Sequence, residues 1–308
     1  MINSIIVPVR NGLEYTKAAV ESFFAQDVGS ISVVIVDNDL SREHYQWYSG
    51  LMEAEEPARV CPLVNHEPKS VAASWNMGLN AVWRIADYAM VANNDLILRP
   101  DTYRHLLADG GGFVTAVGVT ERTKILPHKV LQHDAACVCG HAVIIHAPHC
   151  TFGSSVIGSG IGHKGTCPCA EFRAAPGVAS IDYYPTPDPS ARRPHPDFSC
   201  YLIRKWVYDR VGPFDEKFEG AFCEDWDYHV RLHRAGVEAY CIDLPFWHFG
   251  SQTIKNSPSD QADAIARQAD RNREYFFRKW GFRGATAEYY AQFSPDNFGV
   301  DEAARHGR

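Results

Sequence analysis

The chain has 308 residues, 45% of them hydrophobic and 22% charged, with a net charge of −7. That length serves one large domain or two modest ones and buries a substantial core. The acidic balance argues against a protein whose main task is to grip nucleic acid, which leaves a basic footprint.

The opening MINSIIVPVRNG lacks the basic-then-apolar pattern of a signal peptide, and Ile5, Ile6 and Val7 read as a first strand closed by Pro8 and Asn11-Gly12. EYTKAAVESFFAQ has helical spacing, with Tyr15, Ala18, Ala19, Ser22 and Phe23 in step. SVVIVDND is a continuous apolar run ending in acid. SVAASWNMGLNAVWRIA is again helical, through Val71, Trp75, Leu79, Val82 and Ile85, and YAMVANND is the next strand. Continuous apolar strands separated by helices predict an α/β fold, a mixed but mostly parallel sheet covered on both faces. From about Thr120 to Pro196 periodicity weakens, and His, Gly, Pro and Cys dominate, as in a functional loop or insertion. Regular structure resumes with FSCYLIRKWVYDRVGPFDEKF. EDWDYHVRLHRAG reads as a helix, EAYCIDLPFWHFGS as a strand and its exit, and the chain from Ser257 as helical through Ile265, Ala269, Phe276 and Trp280. The final 20 or so residues read as a tail. The expected organisation is one domain over 1–256, in a first half (1–119), an insertion (120–196) and a second half (197–256), then a helical extension and tail over 257–308.

No apolar run approaches the roughly 20 residues needed to cross a bilayer. The nine cysteines, an odd set, read as mostly reduced thiols of a cytoplasmic protein, with peripheral contact to a membrane left open. Two Cys-x-Cys pairs, Cys137/Cys139 and Cys167/Cys169, lie in the insertion beside His141, His146, His149, Cys150 and His163. A structural Zn2+ wants four ligands at wider spacing than Cys-x-Cys provides, so zinc and unrelated thiols both stand as readings.

Polar residues punctuate the carboxyl ends of three strands: Arg10-Asn11, Asp37-Asn38-Asp39 and Asn93-Asn94-Asp95. Ligands of open α/β sheets bind in the crevice outside those ends, while each cluster alone is also ordinary turn chemistry.

Taken together, the blocks resemble the family-2 glycosyltransferases of the A-type nucleotide-diphospho-sugar transferase fold. The resemblance runs from IIVPVRNGLEYTKAAVESFFAQ through VVIVDND, SVAASWNMGL and VANNDLILRPD, and is closest in LIRKWVYDRVGPFDEKFEGAFCEDWDYHVRLHRAG, with WHFGSQT last. The Asn-Asn-Asp form and the SVAASWN block are similar to the branch holding rhamnosyl- and galactofuranosyl-transferases. The resemblance implies a nucleotide-sugar pocket lined by Pro8, Arg10, Asp37, Asn76, Asn93 and Asn94. It implies a Mn2+ or Mg2+ site at Asp95 and His248, Asp225 as general base of an inverting transfer, and Glu224 shaping the acceptor site. Asn76 alternatively pins its helix start, and Asp227 with Arg231 makes an ordinary i,i+4 pair. Hard cations keep waters and use one or two carboxylates plus phosphates, which suits a single Asp95. The expected donor is a UDP- or dTDP-sugar. The acceptor stays open among glycan, lipid-linked sugar, protein side chain and modified nucleic acid base. The rivals are a sugar-phosphate nucleotidyltransferase, whose Gly-rich first loop VPVRNGLEY lacks, and a non-catalytic sugar- or nucleotide-binding protein.

Overall fold

The structure is a computed structural model, which describes residues 2–38, 41–54, 59–119, 188–250 and 259–301. The first half alternates strand and helix: β1 (Asn3–Val9), α1 (Leu13–Phe24), β2 (Ile31–Asp37), α2 (Arg42–Ala54), β3 (Val60–Val64), α3 (Val71–Val82) and β4 (Tyr88–Ala92). A two-residue strand β5 (Leu96–Ile97), helix α4 (Thr102–Asp109) and β6 (Phe113–Val119) follow. The second half contributes β7 (Asp188–Pro194), β8 (Cys200–Arg204), α5 (Lys205–Val211), α6 (Glu224–Arg234), β9 (Ala239–His248), α7 (Ser259–Trp280) and α8 (Ala287–Ala291).

The strands form one nine-stranded sheet in the order β3-β2-β1-β4-β8-β6-β9-β5, with β7 also on β9. The β3-β2-β1-β4 portion is parallel throughout. β8 then enters antiparallel between β4 and β6. Beyond it, β6 and β9 are again parallel, while β5 and β7 run antiparallel to β9.

The continuous apolar strands are explained by burial on both faces. Ile5, Val7 and Val9 pack with Ala19, Val20 and Phe23 of α1 and Tyr103 and Leu106 of α4. Ile6, between them in sequence, points to the other face, with Trp75 and Leu79 of α3 and Tyr208 of α5. Alternate residues of one strand thus enter opposite cores, and neither face of the strand is left to solvent. Helix α3 can lie this close because of Gly78: a Cβ there would stand 2.3 Å from Ile6 Cγ2.

Three expectations need correction. Helix α3 ends at Val82, and Ile85, counted on its apolar stripe, is 59% exposed in the turn that follows. The end of the insertion is not loop: Asp188–Pro194 is a strand on β9. Its sequence, DPSARRP, hides it, because an edge strand facing water needs no apolar alternation and tolerates Pro and charge. Of the expected tail, the described residues around Tyr289 and Phe293 are docked on the fold. Tyr289 of α8 is buried and receives or gives a hydrogen bond at His229 Nδ1 (2.9 Å), while the Phe293 ring stacks on His229 at 3.8 Å between centroids. Phe218, Cys223 and Val230 join Phe276, Phe282 and Tyr289 in a third apolar cluster, which fastens α7 and α8 to α6. The Cys/His-rich stretch over 120–187, with Cys137, Cys139, Cys167 and Cys169, lies outside the described residues.

Candidate active site

The crevice begins where β1 stops. Pro8 is half-buried in the strand and Arg10 is exposed just beyond it. Asn11 and Gly12 then turn through left-handed backbone, at φ 60° and 66°, before α1 starts. Asn94 braces that turn. Its Nδ2 donates to Asn11 O at 3.2 Å and to Thr16 Oγ1 at 2.9 Å. Asn94, expected to meet the nucleotide, thus reaches back to the loop that lines the crevice. Asn93 is half-buried, and its backbone N–H donates to Ser199 O at 2.9 Å.

Asp37 ends β2 in register with Val9 and Val64, and is 2% exposed. Burial pushes the Tyr48 phenol up to about 12, and the negative charge of Asp37 adds to the shift. Asn38, which the sequence reading passed over as mere punctuation, organises this corner. Its Oδ1 accepts from Asn65 Nδ2 (2.8 Å) and Lys69 N (3.0 Å), and its Nδ2 donates to Ser74 Oγ (2.9 Å). Its signal was available: a short polar side chain at a strand end, facing a helix that starts with serines.

Asn76 is engaged elsewhere. Its Nδ2 donates to Phe214 O and Glu216 Oε1, both at 2.9 Å, and its Oδ1 accepts from Phe214 N at 2.9 Å. The buried amide therefore ties α3 to the segment after α5, closer to the pinning role than to a nucleotide contact.

Asp95 and His248 are 153 positions apart, and one short strand pairing unites them. Residue 96 of β5 lies opposite residue 248 of β9, so Asp95 is delivered to the end of β9. His248 Nε2 lies 3.1 Å from Asp95 Oδ1, and Phe249 N donates to Asp95 O at 2.9 Å. On its other side His248 Nδ1 is 3.4 Å from Ser199 Oγ. A serine hydroxyl both donates and accepts, so it accommodates either imidazole tautomer. With the proton on Nδ1, the Nε2 lone pair beside Asp95 Oδ1 can serve as a metal ligand. Among the described residues, no group of three His, Cys, Asp or Glu converges as a metal cluster. The pair alone suits a cation that takes few protein ligands and completes its shell with phosphate oxygens and water.

The acidic pair opens α6. Glu224 is buried and Asp225 is partly accessible. Phe222 and Cys223, immediately before them, are both left-handed, at φ 82° and 74°. Two such non-glycine residues in succession cost on the order of 1–3 kcal/mol each and mark a turn imposed by its surroundings. Burial pushes the Glu224 carboxyl up to about 8, and the adjacent Asp225 charge adds to this. The Glu224 Oε2 atom is buried without a hydrogen-bond partner. Burial also raises Asp225, to about 6, and Asp197 raises it further, against backbone N–H groups that favour the carboxylate. One of them, Trp226 N, donates to Asp225 Oδ1 at 2.8 Å.

Asp197 was not anticipated. Its Oδ1 accepts from Ser199 N and its Oδ2 from Gly118 N, both at 2.9 Å. It thereby shapes the turn that carries Ser199 to His248 and Asn93, and its charge is felt at Asp225. Asp95 and His248 are thus joined to one turn, residues 197–199, through Ser199. Asp227 looks away from this site. It is fully buried, with Lys279 Nζ at 2.7 Å and Trp280 Nε1 at 2.8 Å, and Arg231 at 3.6 Å. The ordinary i,i+4 pair is present, and α7 adds to it.

A parallel β3-β2-β1-β4 sheet with polar strand ends, followed by antiparallel strands that bring an aspartate to a late histidine, defines the A-type glycosyltransferase fold. Residues 4–111 match the model of the family described as Glycosyl transferase family 2, which places that stretch in the family. Mannosyltransferase PcManGT from Pyrobaculum calidifontis, solved in complex with GDP-Man and Mn2+, is similar in structure with a TM-score of 0.52 at 15% identity, over 98% of this chain and 72% of that one. GalNAc-T7, solved with UDP, GalNAc and Mn2+, is similar with a TM-score of 0.51 at 10% identity, over 99% of this chain and 54% of that one. The chain therefore spans about half the length of GalNAc-T7. At these identities the likeness concerns the fold. The search of curated proteins found no match.

Proposed function

We propose that the protein is a metal-dependent, inverting glycosyltransferase that moves a sugar from a nucleoside-diphosphate sugar to an acceptor hydroxyl. The observation that carries this reading is the convergence of Asp95 with His248 (3.1 Å) where β5 meets the end of β9. In the sheet order β2-β1-β4, Asp37 and Asn93 are separated by two strand spacings, about 10 Å, which suits a nucleoside lying across the end of β1. Asp37 would meet the base or ribose, with Pro8, Arg10 and Asn93 along the same wall. Asn94 would act by holding the Asn11–Gly12 turn.

The Asp95 carboxylate and the His248 imidazole would hold Mn2+ or Mg2+. When bound, the cation neutralises charge developing on the leaving diphosphate. Asp225 would take the acceptor's proton as the hydroxyl attacks the sugar carbon. A group raised to about 6 is ionised near neutrality yet basic enough for that transfer. A base and a leaving group on opposite sides of the reacting carbon invert its configuration. Glu224, held protonated by burial, would offer the acceptor a donor rather than a second negative charge.

The test is turnover of UDP- and dTDP-sugars with and without Mn2+. Asp225→Asn is expected to lower turnover by roughly 10²–10⁴-fold, with donor affinity within about twofold of wild type. Unchanged turnover in that variant removes the base. Nucleotide binding without turnover of any donor would favour a binding module on the same fold.

A further inference from the structure

The four backbone carbonyls of residues 219–222, just ahead of the acidic pair, are all occupied, and three go to a single side chain. Asn272, in the middle of α7 and 1% exposed, donates from Nδ2 to Glu219 O (2.8 Å), Ala221 O (2.9 Å) and Phe222 O (3.0 Å). The remaining carbonyl, Gly220 O, accepts from Val71 N at the start of α3 (2.7 Å). An amide nitrogen carries two hydrogens, so one is shared between two carbonyls. All three partners are acceptors, which fixes the way the amide faces. Its Oδ1 accepts from Gln268 Nε2 at 3.1 Å. The turn so held contains three left-handed residues, Gly220 (φ 66°), Phe222 and Cys223, and only the first is glycine. Nothing within Phe222 or Cys223 favours that conformation, so it depends on what grips their neighbours.

We propose that Asn272 is a positioning residue for transfer: by holding the 219–222 carbonyls it imposes the Phe222–Cys223 turn that aims Asp225. The inference rests on the reading of Asp225 as the base. It makes α7, which lies beyond the stretch that matches the family model, a working part of the site. Cys223, 2% exposed in the third apolar cluster, reports whether the turn holds.

Two readouts on the 308-residue chain test this, with Ala269→Gly as the control. That control weakens the same helix without removing a polar contact. The first readout is alkylation of Cys223 by iodoacetamide under native conditions, followed by peptide mass spectrometry. Asn272→Ala is expected to speed it at least about tenfold, through local opening of the turn, while Ala269→Gly labels at the wild-type rate. The second is the pH profile of donor turnover with Mn2+. Asn272→Ala is expected to lose turnover on the order of 100-fold with the donor KM unchanged. Its acid limb should move to higher pH, because the backbone N–H of Cys223 favours the ionised Asp225 carboxylate. Should Asn272→Ala not fold, Asn272→Gln, which displaces the amide by one carbon, gives the same comparison. Cys223 protection and a pH profile equal to those of Ala269→Gly would overturn the proposal. Absence of turnover in the wild type bears on the transferase reading alone, and Cys223 labelling then decides whether Asn272 holds the turn.

Discussion

At the scale of residues, chemistry and scaffolding divide along lines that the residue types alone do not reveal. Asn76, Asn93 and Asn94 look alike in sequence. Asn76 and Asn94 turn their amides to loops and helix partners, while Asn93 anchors Ser199 through its backbone. Asp95 and His248 were legible because a strand ending in Asp and a histidine after an apolar run each keep their place in the pattern. What joins them, a two-residue strand, is too short to show any period. The left-handed Phe222–Cys223 turn was illegible for a different reason. Its cause is Asn272, some 50 positions later. The acidic pair gives a stability prediction with a definite sign. Glu224 has a carboxyl raised in the folded state from 4.5 to about 8. Its contribution is therefore fully present below the unfolded value, declines as pH rises through about 8, and is flat beyond. Glu224→Gln removes the ionisation. It should match wild type near pH 4 and exceed it in thermal or urea unfolding at pH 9, by at least about 1 kcal/mol, given about 1.4 kcal/mol per pKa unit. Equal stability of the two proteins at both pH values would contradict the buried, unpaired state of that carboxyl.

At the scale of elements, the parallel strands were readable because burial on both faces leaves a continuous apolar run. Helix α3 was readable from its 3.6-residue stripe, but its glycine gains meaning only from the contact. Gly78 lets α3 rest on β1, and Ile6 occupies the space a methyl group would need. Gly78→Ala raises helix propensity yet overpacks the interface, so a net loss of about 1–3 kcal/mol is expected. Trimming the partner with Ile6→Val, in the Gly78→Ala background, should recover part of it. A Gly78→Ala protein as stable as wild type in urea unfolding would show that α3 shifts freely on the sheet. Strand β7 and helix α8 escaped the sequence reading because their partners are distant. The first pairs through its backbone on an exposed edge, and the second docks by His229, His233 and aromatic contacts. Burial lowers the His229 imidazole well below its ordinary value, so this docking face is held neutral and apolar.

At the scale of the molecule, one continuous sheet joins a parallel first half to a second half through antiparallel β8. The α/β class, the parallel first half and the crevice at the strand ends followed from the alternation of apolar runs and helices. The insertion of antiparallel β8 between β4 and β6 did not, since a five-residue buried strand reads the same in either direction. That insertion brings the Asp197–Ser199 turn against His248, with Ser199 N donating to Asp197 Oδ1 (2.9 Å) and Ser199 Oγ at 3.4 Å from His248 Nδ1. With a single carboxylate, Asp95, between β4 and β5, the cation should depend on the donor's own diphosphate. Calorimetric titration of UDP and dTDP into the protein, with and without Mn2+, tests this most directly, in wild type and in Asp95→Asn. The account predicts weak Mn2+ binding without nucleotide, nucleotide binding that Mn2+ strengthens at least about tenfold, and loss of that gain in Asp95→Asn. Nucleotide binding that ignores both Mn2+ and the Asp95 substitution would contradict it.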